Sequence, residues 1–353
     1  MLAVEAEPRR IVVFVPNWVG DAVMFTPTLR AIRARFRDSQ ITLFARPAPA
    51  AVLTPNPWTG NMIVDRGGFI ANVRWLRRGR FELAVLGPNS FRSGLLARLG
   101  GAARRLGYSR GGRGALLTDK LDPPRDTGGT FAVVPALDYY LRLAEHLGCD
   151  VADKRMELAV ADADAARADS LLSQAQADTG RPIVILNPGA SFGSSKMYPA
   201  ERFARVADAL IERRGAQIVI SAAPAERPVA NAVQEAMSRS PLINLGRVGN
   251  TLGLLKAMVR RSDLMITNDT GPRHFAAAFN VPVVAIFGAT DPERTTIYYD
   301  RERIVRVDVP CGPCQRKQCP LPPGPRHHQC MLKIPPEMVL AATEALLGQG
   351  RAS

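Results

Sequence analysis

Apolar runs punctuated by polar junctions set the rhythm of this chain. Ile11–Val15 is uniformly apolar and predicts a fully buried strand that stops at Pro16. A short loop, Asn17-Trp18-Val19, leads to Gly20-Asp21, and Leu29, Ile32 and Phe36 then recur on one helical face. Further strands are predicted at Ile41–Ala45, Met62–Val64 and Leu83–Leu86. Helices are predicted at Pro27–Arg37, Phe69–Arg78, Ser90–Leu99 and Val134–Leu147. Strands alternating with helices imply a mostly parallel sheet covered on both faces. The segment Gly107–Thr130, rich in Gly, Arg, Asp and Pro, reads as a loop near an acceptor.

Ala161–Asp178 has helical spacing and leads into a second domain, because the rhythm then restarts. Strands are predicted at Ile183–Leu186, Gln217–Ser221, Leu242–Asn244, Leu264–Thr267 and Val283–Phe287. Helices are predicted at Pro199–Arg213, Ala225–Met237, Leu252–Arg260 and Pro272–Phe279. The expected division is residues 1–175 and 176–353, two doubly wound domains with a cleft between two carboxyl edges. A closing helix, Glu337–Leu347, is expected to pack back on the N-terminal domain.

Composition is that of a soluble globular protein, 46% hydrophobic and 22% charged. No apolar run reaches the length of a membrane span, and the first residues do not read as a secretory signal. The expected location is therefore the cytoplasm. Net charge is +14, and the first 150 residues hold 21 Lys and Arg against 12 Asp and Glu. Such a surface attracts polyanions, although solvated arginine faces account for it equally well. No zinc-finger or RNA-recognition pattern is present, so nucleic acid is not the expected partner.

Five stretches could carry chemistry. Asp21 sits at a strand-to-helix junction, where it could act as a base or simply cap the helix. In Asn187–Pro199, small residues, Ser191 and Lys196 suit a phosphate, without Walker-type spacing. In Thr267–His274, Thr270 and Gly271 offer donors at a helix start, Asp269 could accept from sugar hydroxyls, and His274 follows one turn in. Glu226 opens a helix after a strand and could hold a ribose. Cys311, Cys314, Cys319 and Cys330, beside His327 and His328, suit a structural metal, a reduced loop or a redox-labile pair.

Gly20-Asp21, the Asn-Pro-Gly-Ala loop with Lys196, and Asp269-Thr270-Gly271-x-x-His274 occur in this order in one family. From Ile11 to Leu347 the chain resembles the bacterial heptosyltransferases of lipopolysaccharide inner-core synthesis, glycosyltransferase family 9. The Cys cluster ending in Cys330-Met331 resembles the second-heptosyltransferase branch. The resemblance implies a GT-B fold of two Rossmann-like domains facing across a cleft. It implies an inverting transfer of heptose from ADP-heptose to a phosphorylated heptosyl-Kdo-lipid A acceptor, at the inner face of the inner membrane, with no catalytic metal or cofactor. Asp21 matches the general base, and Ser191 and Lys196 match contacts to diphosphate and sugar. Glu226 matches the ribose carboxylate, Asp269 the residue holding heptose hydroxyls, and Thr270, Gly271 and His274 its diphosphate-side neighbours. Tyr198 stands where the family carries Trp. The alternatives are a first or third heptosyltransferase, a nucleotide-sugar epimerase on a similar fold, or a polyanion-binding protein.

Overall fold

The computed structural model describes residues 7–348, so part of the N-terminal stretch read for a leader lies outside the described residues. The chain divides into two compact units, with the main break in sequence at Ala159–Val160 and the short segment Glu293–Thr296 grouped with the first unit. In the first unit the strands are β1 (Arg10–Phe14), β2 (Gln40–Ala45), β3 (Asn61–Val64), β4 (Leu83–Leu86), β5 (Arg104–Tyr108) and β6 (Asp119–Leu121). Its helices are α1 (Val19–Met24), α2 (Thr26–Arg35), α3 (Pro47–Val52), α4 (Phe69–Gly79), α5 (Phe91–Leu99) and α6 (Ala136–His146).

All six strands are parallel, in the order β3-β2-β1-β4-β5-β6. β1 lies centrally and is buried beyond its first residue, as a sheet covered on both faces requires. Val12 and Phe14 pack with Leu76 of α4, Leu96 of α5 and Leu86 of β4. The chain reverses direction across the sheet between β1 and β4, the position where open α/β sheets leave a crevice at their carboxyl edge.

In the second unit the strands are β7 (Ile183–Asn187), β8 (Gln217–Ile220), β9 (Ile243–Asn244), β10 (Leu264–Asn268), β11 (Val283–Ile286) and β12 (Glu302–Val305). Its helices are α7 (Asp162–Gln174), α8 (Ala200–Arg214), α9 (Arg227–Ala236), α10 (Leu252–Arg261), α11 (Pro272–Ala278), α12 (Gln329–Leu332) and α13 (Pro336–Leu347). The order β9-β8-β7-β10-β11-β12, again all parallel, repeats the first unit's topology. Here the switch point falls between β7 and β10.

Three expectations are corrected. The break lies at 159–160, not 175–176, because α7 is tied to α10 of the second unit. Arg261 pairs with Asp169 and donates to the Ala165 carbonyl at 3.1 Å, and the Asp164 carboxylate rests against Gly253. The segment just before the break is tied to the first unit, with Glu157 N donating to Thr26 Oγ1 and Trp58 Nε1 donating to Glu157, at 3.0 and 2.9 Å. Gly107–Thr130 is not all loop, since β5 reaches into it and β6 lies within it. The predicted helix Pro27–Arg37 is α2, and a separate short helix, α1, precedes it. As for α13, it packs on α8, β10 and β11 of its own unit. Among the described residues, no helix is long and apolar enough to cross a membrane.

Candidate active site

In the second unit the polar ends of β7 and β10 are stitched together before either loop begins. Asn187 Nδ2 donates to Thr267 Oγ1 at 3.0 Å, and Asn268 Nδ2 donates to the Pro188 carbonyl at 2.7 Å. Asn268 Oδ1 also accepts from the Tyr198 amide at 3.2 Å. These buried amides fix where the two loops leave the sheet.

Lys196 and Asp269 meet directly. Lys196 Nζ donates to Asp269 Oδ2 at 2.5 Å and to its carbonyl at 3.0 Å, and lies 4.8 Å from the Phe192 ring centroid. Thr290 Oγ1, beyond β11, donates to the same Oδ2 at 2.6 Å. Arg273 Nη1 lies 3.8 Å from Asp269 Oδ1, while its other nitrogens grip Glu302 of β12, Nη2 reaching Oε2 at 2.8 Å. Asp269 is only 4% exposed and Arg273 is fully buried. Burial raises the Asp269 pKa, but the charges of Lys196 and Arg273 and the hydrogen bonds from Lys196 and Thr290 outweigh it. They hold the carboxyl below its usual range.

His274 is 3% exposed, and its Nδ1 has no hydrogen-bond partner among the described residues. Burial first, then the Arg273 cation, pushes its pKa down to about 3. A neutral imidazole in this place contributes shape and hydrogen bonding rather than charge.

Two glycines set how closely the loops approach their surroundings. A Cβ on Gly189 would fall 2.3 Å from Glu226 Oε2, so the Glu226 carboxylate lies flat against the Asn187–Ala190 loop. Gly193, at φ 155°, would drive a Cβ to within 2.2 Å of the Lys317 carbonyl. The cysteine-rich segment therefore braces the loop that carries Lys196. Ser195 N donates to the Lys317 carbonyl at 3.1 Å, its hydroxyl donates to the Arg316 carbonyl, and His328 Nε2 meets the Ser195 carbonyl at 3.0 Å.

Cys311, Cys314, Cys319 and Cys330 line one small cavity beside that brace, all as free thiols. Burial and the three neighbouring thiols push Cys330 up to about 11. Cys319 and Cys311 accept from His328 N at 3.2 Å and from Gln329 Nε2 at 3.6 Å. Among the described residues, no group of His, Cys, Asp or Glu is arranged to hold a metal ion.

Asp21 lies in the first unit. It occupies the first turn of α1, whose cap residue is Trp18 and which has no side-chain capping bond. Asp21 instead accepts a hydrogen bond from the Tyr140 hydroxyl of α6. Burial, the Asp21 charge and that hydrogen bond keep the phenol protonated, well above its ordinary pKa. Phe25 packs edge-on to the Tyr140 ring at 5.3 Å, and Tyr139 lies edge-on at 6.0 Å.

The structure thus brings Lys196, Asp269 and His274 into one buried cluster and sets Glu226 against the neighbouring loop. Ser191 stays exposed, and Thr270 and Gly271 are half-buried just ahead of α11. Tyr198 is in the core, its hydroxyl on the Ile334 carbonyl at 3.0 Å and its ring edge-on to Phe203, so the departure from Trp is a packing matter. Sequence reasoning passed over Tyr140, Arg273 and Thr290. Arg273 lay inside a stretch already singled out, and Thr290 follows a strand end, where a polar residue is a signal. Nothing marked Tyr140.

The family model for glycosyltransferase family 9 (heptosyltransferase) matches residues 70–324. The chain belongs to that family. This heptosyltransferase-family protein is 27% identical to lipooligosaccharide heptosyltransferase 2 of Campylobacter jejuni, over 96% of this chain and 98% of that one. Among solved structures, it is similar to a glycosyltransferase family 9 protein of Veillonella parvula, with TM-score 0.82 and 25% identity over 97% and 98% of the two chains. It is also similar to the ADP-heptose LPS heptosyltransferase II of E. coli, with TM-score 0.78 and 26% identity over 97% and 100%. The family 9 chain is therefore an α/β protein of the GT-B class, built from two Rossmann-like units.

Proposed function

We propose that this family 9 protein moves a heptose, with inversion, from ADP-L-glycero-β-D-manno-heptose to heptosyl-Kdo-lipid A. The observation that carries the reading is the Lys196–Asp269 pair at the carboxyl edge of β7 and β10. An ammonium has three protons, and two are engaged by Asp269. The third is available to the diphosphate, aimed by a carboxylate that Thr290 and Arg273 hold in place. The names of the C. jejuni and E. coli relatives support the donor and acceptor classes.

In this mechanism an acceptor hydroxyl attacks the anomeric carbon, the carbon–oxygen bond to ADP breaks, and Asp21 takes the hydroxyl proton. The proton moves late, once bond formation has made the hydroxyl acidic, so a carboxylate is a sufficient base. Lys196, with the Thr270 and Gly271 amides and Ser191, meets the charge growing on the leaving ADP. Glu226 accepts from the ribose hydroxyls, and Asp269 Oδ1 accepts from a heptose hydroxyl. No step uses a metal, so transfer is expected to survive a chelator.

The deciding experiment is Asp21→Asn, assayed with ADP-heptose and heptosyl-Kdo-lipid A. Transfer should fall by about 10²–10⁴-fold while ADP still binds. A near wild-type rate would remove Asp21 from the mechanism. Acceptors carrying no, one or two heptoses distinguish first, second and third heptosyltransferases. Donor conversion with no acceptor present would point to an epimerase.

A further inference from the structure

Between Arg66 and Phe81 the sequence holds five arginines and no acidic residue. α4 occupies most of this stretch, and its inward face is set by Asn72 and Leu76, both buried. At 100° per residue the opposite face carries Ile70, Arg74, Trp75, Arg77 and Arg78. Ile70 is 66% exposed and Trp75 is 55% exposed, uncommon values for side chains of this size on one short helix. The Arg78 guanidinium lies 5.7 Å from the Trp75 ring centroid. Arg77 reaches the Leu99 carbonyl of α5 at 2.8 Å, and Leu99 is itself partly exposed. The nearest acids do not offset this charge. Asp65 is buried and paired with Arg92, and Glu82 accepts from the Arg9 amide.

We propose that this outward face of α4 is a docking surface for an anionic lipid bilayer. Arginines pair with phosphate headgroups while Ile70 and Trp75 enter the headgroup–acyl boundary, where tryptophan is favoured. Charge complementarity selects this occupant. A second copy would set three arginines against three, and a nucleic acid offers Ile70 nothing to bury against. The inference does not depend on which donor or acceptor the enzyme uses.

The test is co-sedimentation of the full chain with vesicles of phosphatidylcholine alone or mixed with phosphatidylglycerol. Binding is expected with the anionic vesicles only and should weaken with salt. Each arginine near such a surface contributes roughly fivefold in partition. The Arg74→Glu/Arg78→Glu variant should therefore bind about thirtyfold or more weakly. Ile70→Ser/Trp75→Ser should bind several-fold more weakly, and its residual binding should vanish at high salt. Circular dichroism and transfer to a detergent-dispersed acceptor should match wild type for both variants. The proposal is overturned if the folded charge-reversal variant binds anionic vesicles like wild type. It is equally overturned if wild type ignores vesicles but binds heparin through these arginines, or forms a dimer that Ile70→Ser/Trp75→Ser dissociates.

Discussion

The two units share a strand order and present candidate site residues at the same kind of sheet edge, yet the two edges are built differently. In the second unit, Asp269, Arg273 and His274 are buried together, and Lys196 is anchored to Asp269. In the first, the half-buried Asp21 carboxylate accepts from the Tyr140 phenol of α6. A group that must meet a charged leaving group benefits from a fixed, desolvated frame. A group that must accept a proton from an incoming substrate needs access. Topology supplies the place, and the surrounding side chains decide how rigid each half is.

This contrast can be tested by breaking each half in turn. The largest effect beyond Asp21 is expected from Lys196→Met. Transfer should fall by about 10²–10³-fold, with weaker ADP binding, because the ammonium facing the diphosphate is gone. The same change leaves Asp269 buried without its main counter-charge, so the urea midpoint should drop by an amount equivalent to about 3 kcal/mol. Asp21→Asn should barely move that midpoint. Equal stability losses in the two variants would erase the distinction between a rigid and an open half.

A smaller effect is expected from Tyr140→Phe. Removing the phenol hydrogen bond takes away support for the ionised Asp21. The acid limb of the pH profile for kcat/KM should move to higher pH, and kcat should fall by about tenfold. An unchanged acid limb would mean that Tyr140 only fills space. The smallest effect concerns acid stability. Folded His274 titrates at about 3 against an ordinary 6.5. Between those values the unfolded chain holds a proton that the folded chain lacks, so stability falls as pH drops through the window. The slope is on the order of 1 kcal/mol per pH unit at most. His274→Asn should flatten it in urea titrations between pH 7 and pH 4.5.

The central strands were legible because they are buried on both faces and read as plain apolar runs. β5, β6 and β12 were not, and each carries charge for a structural reason. Arg104 of β5 pairs with Asp119 of β6 at 2.8 Å, and Glu302 of β12 holds Arg273. β6 and β12 lie at sheet edges and β5 pairs with β6, so these strands serve polar partners and lack the hydrophobic signature. α3 begins Pro47-Ala48-Pro49, a proline-rich start that gave no helical periodicity. Loop chemistry after β7 and β10 could be read from residue type, since Lys, Asp and Gly at strand ends are rarely idle in this topology. The Asp21–Tyr140 contact could not, because the two residues are far apart in sequence and the tyrosine belongs to an ordinary amphipathic helix.

The brace beneath Lys196 has a consequence for how the protein is made. The loop around Gly193 leaves the ribosome long before Arg316, Lys317 and His328, the residues it rests on. The first unit and the strands of the second sheet can form during synthesis before the Lys196 loop gains the residues it rests on. A nascent chain stalled before residue 316 would present a folded first unit and an unsupported Lys196 loop. Ordering of that loop would therefore wait for synthesis of residues 316–328.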